Sequence, residues 1–397
     1  MEVLIVYKED YPWDVRVEKL ALSLRSAGHN VTIIARNRDQ LPSIDEDNGI
    51  AIRRLPVTRQ LPKFLQAAVN LPLWFNPFWI WLLLRSSKIL KEKRGVLIVR
   101  DLPLVKAGLL IAKFRRSKIV FDMAECYPEM YESAAKFSNR SLTTKILKNP
   151  WLARTYEKSV VNKVDHILVM IQESKNRLLS MGVNDTRISI VSNTPPVDKF
   201  KGAIHEHHGN QLRIVYVGFL SKLRGLDLLI EGAAHYIKKQ SSADAIRIDI
   251  IGKGAQKEHL IALSNQLGIS ESVVVHGWLD HDEVDKLMSS ANVGALTYRV
   301  CGHWNHTIPN KIFDYMLAGL PVLATEVIPI ARILKETDSG VVCKDQDPID
   351  IAEKLGILSD PQKRKTLGLN GRTAVTTKYN WENDEKVLKE TINNMFV

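Results

Sequence analysis

The 397 residues are 45% hydrophobic and 25% charged, an ordinary globular composition that excludes a disordered, collagenous or coiled-coil chain and suffices for two or three domains. Three cysteines, Cys126, Cys301 and Cys343, are too few and too scattered for a disulfide framework or a four-ligand zinc site, which predicts a reducing compartment. The net charge of +11 is uneven: residues 1–200 hold 32 Lys+Arg against 20 Asp+Glu (+12), leaving 23 against 24 (−1) for the rest.

Met1 runs straight into Val3-Leu4-Ile5-Val6-Tyr7 with no basic head and apolar h-region, so a cytoplasmic protein is expected. Further short β-branched runs follow at Val31–Ala35, Val96–Val99, Ile119–Phe121, Ile167–Ile171 and Ile188–Val191. Each reads as a parallel strand covered on both faces. Helical periodicity fills the gaps, as in Val17, Leu20, Ala21 and Leu24 before the stop at Gly28, and the alternation predicts a doubly wound α/β domain.

Between the second and third of these runs, residues 51–100 carry ten Lys/Arg against one acid, Glu92. The same stretch holds the most apolar run, Leu71 to Leu84, followed by Arg85, Lys88, Lys91, Lys93 and Arg94. That run is too short, and too interrupted by Pro72 and Pro77, to span a bilayer. Aromatic residues beside a cationic flank predict an interfacial helix, making residues 64–94 a candidate contact for an anionic membrane surface. The competing reading is a buried helix with a solvated basic end.

The alternation restarts at Ile214–Val217 and continues through Ile246–Ile251, Val273–Val275, Val293–Leu296, Pro321–Ala324 and Val341–Cys343. Two such units in tandem exceed one open sheet, so a boundary is expected in the polar, Pro/Gly-marked stretch 195–211. The first domain is then 1–200 and the second 210–379. A helix spans roughly 361–377, and Tyr379-Asn380-Trp381-Glu382 opens another, 380–397, expected to return to the first domain. Ligands of open α/β sheets lie beyond the carboxyl ends of the strands.

Two loops carry candidate chemistry. Gly218-Phe219-Leu220-Ser221-Lys222-Leu223-Arg224-Gly225 joins a strand to a helix, and Lys222 and Arg224 could neutralise a diphosphate. In Trp304-Asn305-His306-Thr307-Ile308-Pro309-Asn310-Lys311-Ile312-Phe313-Asp314-Tyr315, Pro309 is expected to open a short helix with free amides. Asp314, one turn on, suits a ribose diol. Alone, either loop could equally be an ordinary turn with solvated charges.

In their order and spacing these segments, with Gly252-Lys253-Gly254 and Val273-Val274-Val275-His276-Gly277 between them, resemble the retaining glycosyltransferases of family 4. The resemblance extends to Asp14-Val15-Arg16-Val17, Gly28-His29-Asn30-Val31, Arg100-Asp101, Asp122…Glu125 and Asn193. It implies the GT-B fold: two Rossmann-like domains facing a central cleft. It implies a nucleoside-diphosphate sugar as donor substrate, no required cofactor and no metal. Arg224, helped by Lys222, would bind the diphosphate beside Gly218, Phe219 and Gly252; Thr307, Ile308, Pro309, Asn310 and Lys311 would add amides and charge; Asp314 would hold the ribose; and the backbone near Trp278 and Leu279 would meet the base. Arg224, Asp314, His306 and Glu125 are the implied catalytic set, with Asp14, Arg16, Arg100 and Asp101 on the acceptor side. The sequence departs from the family pattern at Phe219 (Arg in many relatives), at Ala124 (often His), and where a Glu-x7-Glu pair is replaced by His306 and Asp314. The implied reaction is sugar transfer with retention, through front-face attack, to a saccharide or lipid-linked acceptor in cell-surface polysaccharide synthesis by an enzyme peripheral at the inner face of the membrane.

An epimerase of the same fold, or a non-catalytic adaptor binding nucleotide and membrane, is the alternative. His205, His207 and His208, and Cys301 with His303 and His306, have metal-compatible spacing but too few further ligands. The basic half lacks any helix-turn-helix or finger pattern, so nucleic acid is not an expected partner.

Overall fold

The structure is a computed structural model; it describes residues 1–12, 14–91, 95–137, 142–200 and 211–396. The chain divides into two compact units: Met1–Tyr131 with Leu142–Asn193 and Asp384–Val397, and Glu132–Ser141 with Thr194–Asn383. The assignment of residues 132–141 to the second unit has no counterpart in the sequence reading. Residues 201–210, with His205, His207 and His208, lie outside the described residues, as do Lys93 and Arg94.

The first unit is built on an eight-stranded sheet of β1 (Glu2–Asp10), β2 (Asn30–Arg36), β3 (Ile44–Asp47), β4 (Ile50–Arg54), β5 (Gly95–Arg100), β6 (Lys118–Met123), β7 (His166–Val169) and β8 (Ile188–Ile190), in the order β3-β4-β2-β1-β5-β6-β7-β8. All pairs are parallel except β3 with β4. Val3, Leu4, Ile5 and Val6 are wholly buried, as expected of a strand covered on both faces. The edge hairpin β3–β4 is absent from the sequence expectations. Its first strand reads Ile-Asp-Glu-Asp and is mostly exposed, so no apolar run marks it, although the turn residues Asn48 and Gly49 both have positive φ and form the pair favoured in tight hairpins.

The apolar run 71–84 is not one interfacial helix. Two helices, Lys63–Asn70 and Pro77–Ser86, are separated by a break that Asn76 stabilises: its side chain accepts from the Phe78 amide at 3.0 Å and donates to the carbonyls of Ala68 and Leu71. Trp79, Leu82 and Leu83 belong to the core of this unit. Phe64, Phe75, Phe78, Trp81 and Leu84 are exposed. The segment therefore has one face in the core and one outside. Among the described residues no helix is long and apolar enough to cross a membrane.

The second unit has six parallel strands, β9 (Leu212–Val217), β10 (Ile246–Ile251), β11 (Val273–Gly277), β12 (Val293–Leu296), β13 (Val322–Thr325) and β14 (Gly340–Cys343), in the order β11-β10-β9-β12-β13-β14. The helices Pro361–Thr377 and Trp381–Asn394 close the chain. Leu388 and Ile392 of the latter are buried, and Thr391 hydrogen-bonds Ser189 at the end of the first sheet. In each sheet the first strand has neighbours on both sides reached by opposite crossovers, β2 and β5 around β1, β10 and β12 around β9. Such switch points open a crevice at the carboxyl ends of the strands.

Candidate active site

In the second unit the strand ends converge as that rule requires. Past β9 the chain turns through Gly218 into a short 3-10 turn, Lys222–Arg224, and then the helix Leu226–Gln240. The Gly218 amide donates to Ile251 O and the Leu220 amide to Lys253 O, laying this loop along the end of β10. A Cβ at Gly252 would stand 1.7 Å from the Gly218 carbonyl oxygen, so only glycine permits the approach. The Gly252-Lys253-Gly254 motif thus supports the first loop from beneath.

Arg224 is the best-defined cation of the site. Its guanidinium carbon lies 4.4 Å from the Trp304 ring and 4.5 Å from the Tyr298 ring, and the Trp304 indole N–H donates to Leu223 O at 3.3 Å. The two rings pack against each other with centroids 4.7 Å apart, and an arginine resting over such a pair keeps its charge while losing rotational freedom. The Arg299 amide also donates to Leu223 O, joining the loops after β9 and β12. Tyr298 and the role of Trp304 escaped the sequence reading, because contacts 74 and 80 positions apart leave no local signature. Lys222 and Phe219 are exposed.

Asp314 stands on the helix Lys311–Leu317 and is 7% exposed. Lys199 reaches its Oδ1 at 2.7 Å and Lys311 its Oδ2 at 2.9 Å. Burial disfavours the charged carboxylate, but Lys311, then Lys199, outweigh it and hold the group below its ordinary value. Lys199 was not foreseen as its partner. Pro309 does not open the helix: Asn310 is the N-cap, and the amides of Ile312, Phe313 and Asp314 are already bonded to Pro309 O and Asn310 O. The amides expected to serve a donor, those about Thr307–Asn310, lie before these three. Tyr315, next to Asp314, accepts the Val217 amide at 2.9 Å, and its ring fits only because β12 offers Gly294, where a Cβ would lie 2.4 Å from it.

Around this centre Thr307 and Ile308 are buried. His306 donates from Nδ1 to Gly302 O at 2.8 Å. Beyond β11, Trp278 is exposed with Lys253 over its ring at 5.0 Å, and Leu279 is half-buried. His303, packed at a tilt against Trp304, has its pKa depressed to about 4 by burial and then by the nearby Arg224 charge. It is neutral at pH 7. Among the described residues no three His, Cys, Asp or Glu form a metal-holding group.

In the first unit the corresponding strand ends carry a charged network. Asp14 caps the helix Val15–Ser26, accepting from the Val17 amide; it also accepts from the Tyr7 hydroxyl at 3.1 Å and pairs with Arg100 at 3.2 Å. Arg16 does not suit an acceptor contact. It is 1% exposed and its guanidinium is spent on Asp122 and the carbonyls of Val191 and Ser192, making it a strut between β6 and the chain past β8. Asp101 follows β5 with φ 66° and ψ 158°, a region almost confined to glycine. It is buried, and Oδ1 has no hydrogen-bond partner. Burial raises its pKa, and Arg100 and Lys8 only partly offset that. Glu125 is half-buried past β6.

Comparisons with known proteins identify the family and the fold. The model for glycosyl transferases group 1 matches residues 198–374, and that for a glycosyl transferase 4-like domain matches 14–194. An uncharacterized glycosyltransferase of Methanocaldococcus jannaschii is 26% identical over 224 residues, 56% of this chain and 54% of that protein; the match thus spans about half of the relative. Sucrose-phosphate synthase from Thermosynechococcus elongatus superimposes with a TM-score of 0.78 at 16% identity, covering 100% of this chain and 99% of that one. HepE of Anabaena, solved in complex with UDP, gives 0.72 at 13% identity over 99% and 100%. The chain belongs to the family 4 glycosyltransferases and has their two Rossmann-like GT-B domains.

Proposed function

We propose that the protein is a retaining, metal-independent glycosyltransferase. Its second unit binds a nucleoside-diphosphate sugar, and its first unit accepts a lipid-linked glycan at the inner face of the membrane for cell-surface polysaccharide synthesis. The observation that carries the donor assignment is Arg224, fixed over the adjoining rings of Tyr298 and Trp304 at the carboxyl ends of β9 and β12. As the glycosidic bond breaks, negative charge grows on the leaving diphosphate. A cation already oriented and partly desolvated stabilises that charge without reorganising, which lowers the barrier. Lys222 adds a second, mobile charge from the same loop. The Asp314 carboxylate, kept ionised by its lysines, supplies acceptor oxygens for the ribose hydroxyls. Retention follows if the acceptor hydroxyl attacks the face the diphosphate leaves, handing its proton to a departing phosphate oxygen.

Support for a lipid-linked acceptor comes from the exposed Phe64, Phe75, Phe78 and Trp81 in the region of highest positive charge. HepE binds UDP, which makes UDP-sugars the first donors to test. Arg224→Ala and Asp314→Ala are expected to abolish transfer while leaving the folded state intact; wild-type turnover in either would sink the assignment. Incubating the enzyme with donor alone separates transfer from epimerisation, since only an epimerase converts the sugar without an acceptor.

A further inference from the structure

A groove of about 630 Å³ lies on the first unit, away from the strand ends described above, between the helices Val105–Arg115 and Pro150–Val160 and the start of β6. Its wall is apolar along Trp74, Leu109 and Leu110, and four cations line it: Lys106, Lys113, Arg116 and Lys163. Its one acid, Asp165, is neutralised, pairing with Lys118 at 3.1 Å and accepting the Ile119 amide. Lys106 sits over the rings of Trp74 and Tyr156 at 5.3 and 4.7 Å. Lys113, Arg116 and Lys163 have no carboxylate partner among the described residues. A Ser117 hydroxyl in the same lining is buried without a hydrogen-bond partner.

A cavity lined by both uncompensated cations and apolar carbon matches an anionic amphiphile, whose phosphate needs charge and donors and whose chains need carbon. The surroundings continue that pattern. Leu110 is 56% exposed and Phe114, one turn on, 65%. Trp74 makes an edge contact with the exposed Phe75, and Arg115 ties this helix to its neighbour through Leu84 O and Ser87 Oγ. The helix that carries Leu110 and Phe114 is thus tied to the end of Pro77–Ser86, whose outer face exposes Phe78, Trp81 and Leu84. A free anion would gain nothing from these side chains.

We infer that this groove holds the phosphate headgroup of an anionic membrane lipid, with Lys113, Arg116 and Ser117 on the phosphate and Leu110 and Trp74 along the first acyl carbons. The inference rests on the membrane-peripheral reading proposed above and adds a discrete site to it. Each basic contact near an anionic surface contributes enough that reversing two should weaken binding by tenfold or more, on the order expected for such electrostatics.

The test is co-sedimentation of the full chain with phosphatidylcholine vesicles, with and without phosphatidylglycerol. The site predicts preference for the anionic vesicles, at least about tenfold loss in Lys113→Glu/Arg116→Glu, several-fold loss in Leu110→Ser, and no displacement by millimolar inorganic phosphate. Unchanged thermal melting of these exposed variants confirms their fold. Anionic binding that survives the double variant but falls in Trp81→Ser would overturn the headgroup site and leave the membrane reading standing. Displacement by inorganic phosphate would reassign the groove to a soluble anion. Failure of the wild-type chain to bind either vesicle would overturn both.

Discussion

The hydroxyl of Tyr315 accepts the backbone N–H of Val217 at 2.9 Å, so the residue beside the ribose-binding candidate holds the last strand residue before the Gly218 loop. Tyr315 is wholly buried and Val217 half-buried. Tyr315→Phe leaves that N–H without its partner at a cost of about 1–3 kcal/mol. A urea-unfolding series should show that loss, accompanied by a lower kcat as the loop carrying Arg224 loosens.

Arg224 depends in turn on its aromatic neighbours. A desolvated cation–π contact contributes about 2 kcal/mol. Trp304→Leu should therefore lower kcat by about tenfold or more with a smaller change in donor KM, and Trp304→Phe should recover most of it. Equal effects of the two substitutions would mean that the ring serves only as filling.

Asp101 is expected to trade stability for position. Its backbone conformation costs about 1–3 kcal/mol in any residue but glycine, and its buried carboxyl resists ionisation. Its folded pKa being raised, the charge penalty grows as pH rises above the ordinary carboxylate value. Asp101→Gly should raise Tm, most at neutral pH and less in acid, while reducing transfer to the acceptor. A fall in Tm at pH 7 would contradict this account.

His303 gives the acid side of the stability profile. Its pKa falls from 6.5 to about 4, so the unfolded chain takes up a proton in a window where the folded protein does not. Stability from this group is intact above about pH 6.5 and is lost as pH falls toward 4, by about 3 kcal/mol in all. Asp314, lowered as well, acts in the same direction, its contribution fading below the ordinary carboxylate range. In chemical unfolding between pH 7 and 4, His303→Gln should flatten the slope; an unaltered slope would locate the acid sensitivity elsewhere.

Two tryptophans only two positions apart should behave oppositely. Trp79 is wholly buried and Trp81 is 49% exposed. Trp79→Ser opens the core and should cost about 3–5 kcal/mol. Trp81→Ser should leave Tm unchanged and weaken sedimentation with anionic vesicles, and the reverse pattern would refute the division of this helix into a core face and an outer face.

The central strands were legible because residues such as Val3–Val6 and Val96–Val99 are hydrophobic on both faces, a pattern that parallel sheets impose. The hairpin β3–β4 was not, since an exposed edge strand asks for no apolar run; its Asn48-Gly49 turn was the available signal. Within the site, the glycines and the Asp314-Tyr315 pair were readable as motif residues. The Tyr298–Trp304 clamp and Lys199 were not, for they meet Arg224 and Asp314 only after the chain has folded across 74 to 115 positions.

The sequence by itself determined the alternation of strand and helix, the family and the residue types at the strand ends, since periodicity and glycine spacing are local properties of the chain. Tertiary structure alone decided what those residues do. Two arginines both expected in the site, Arg16 and Arg224, differ because one is consumed by Asp122 and the carbonyls of Val191 and Ser192, whereas the other lies over two aromatic rings at the strand ends. Which neighbours surround a charge is set by packing between distant segments, and no local pattern encodes it.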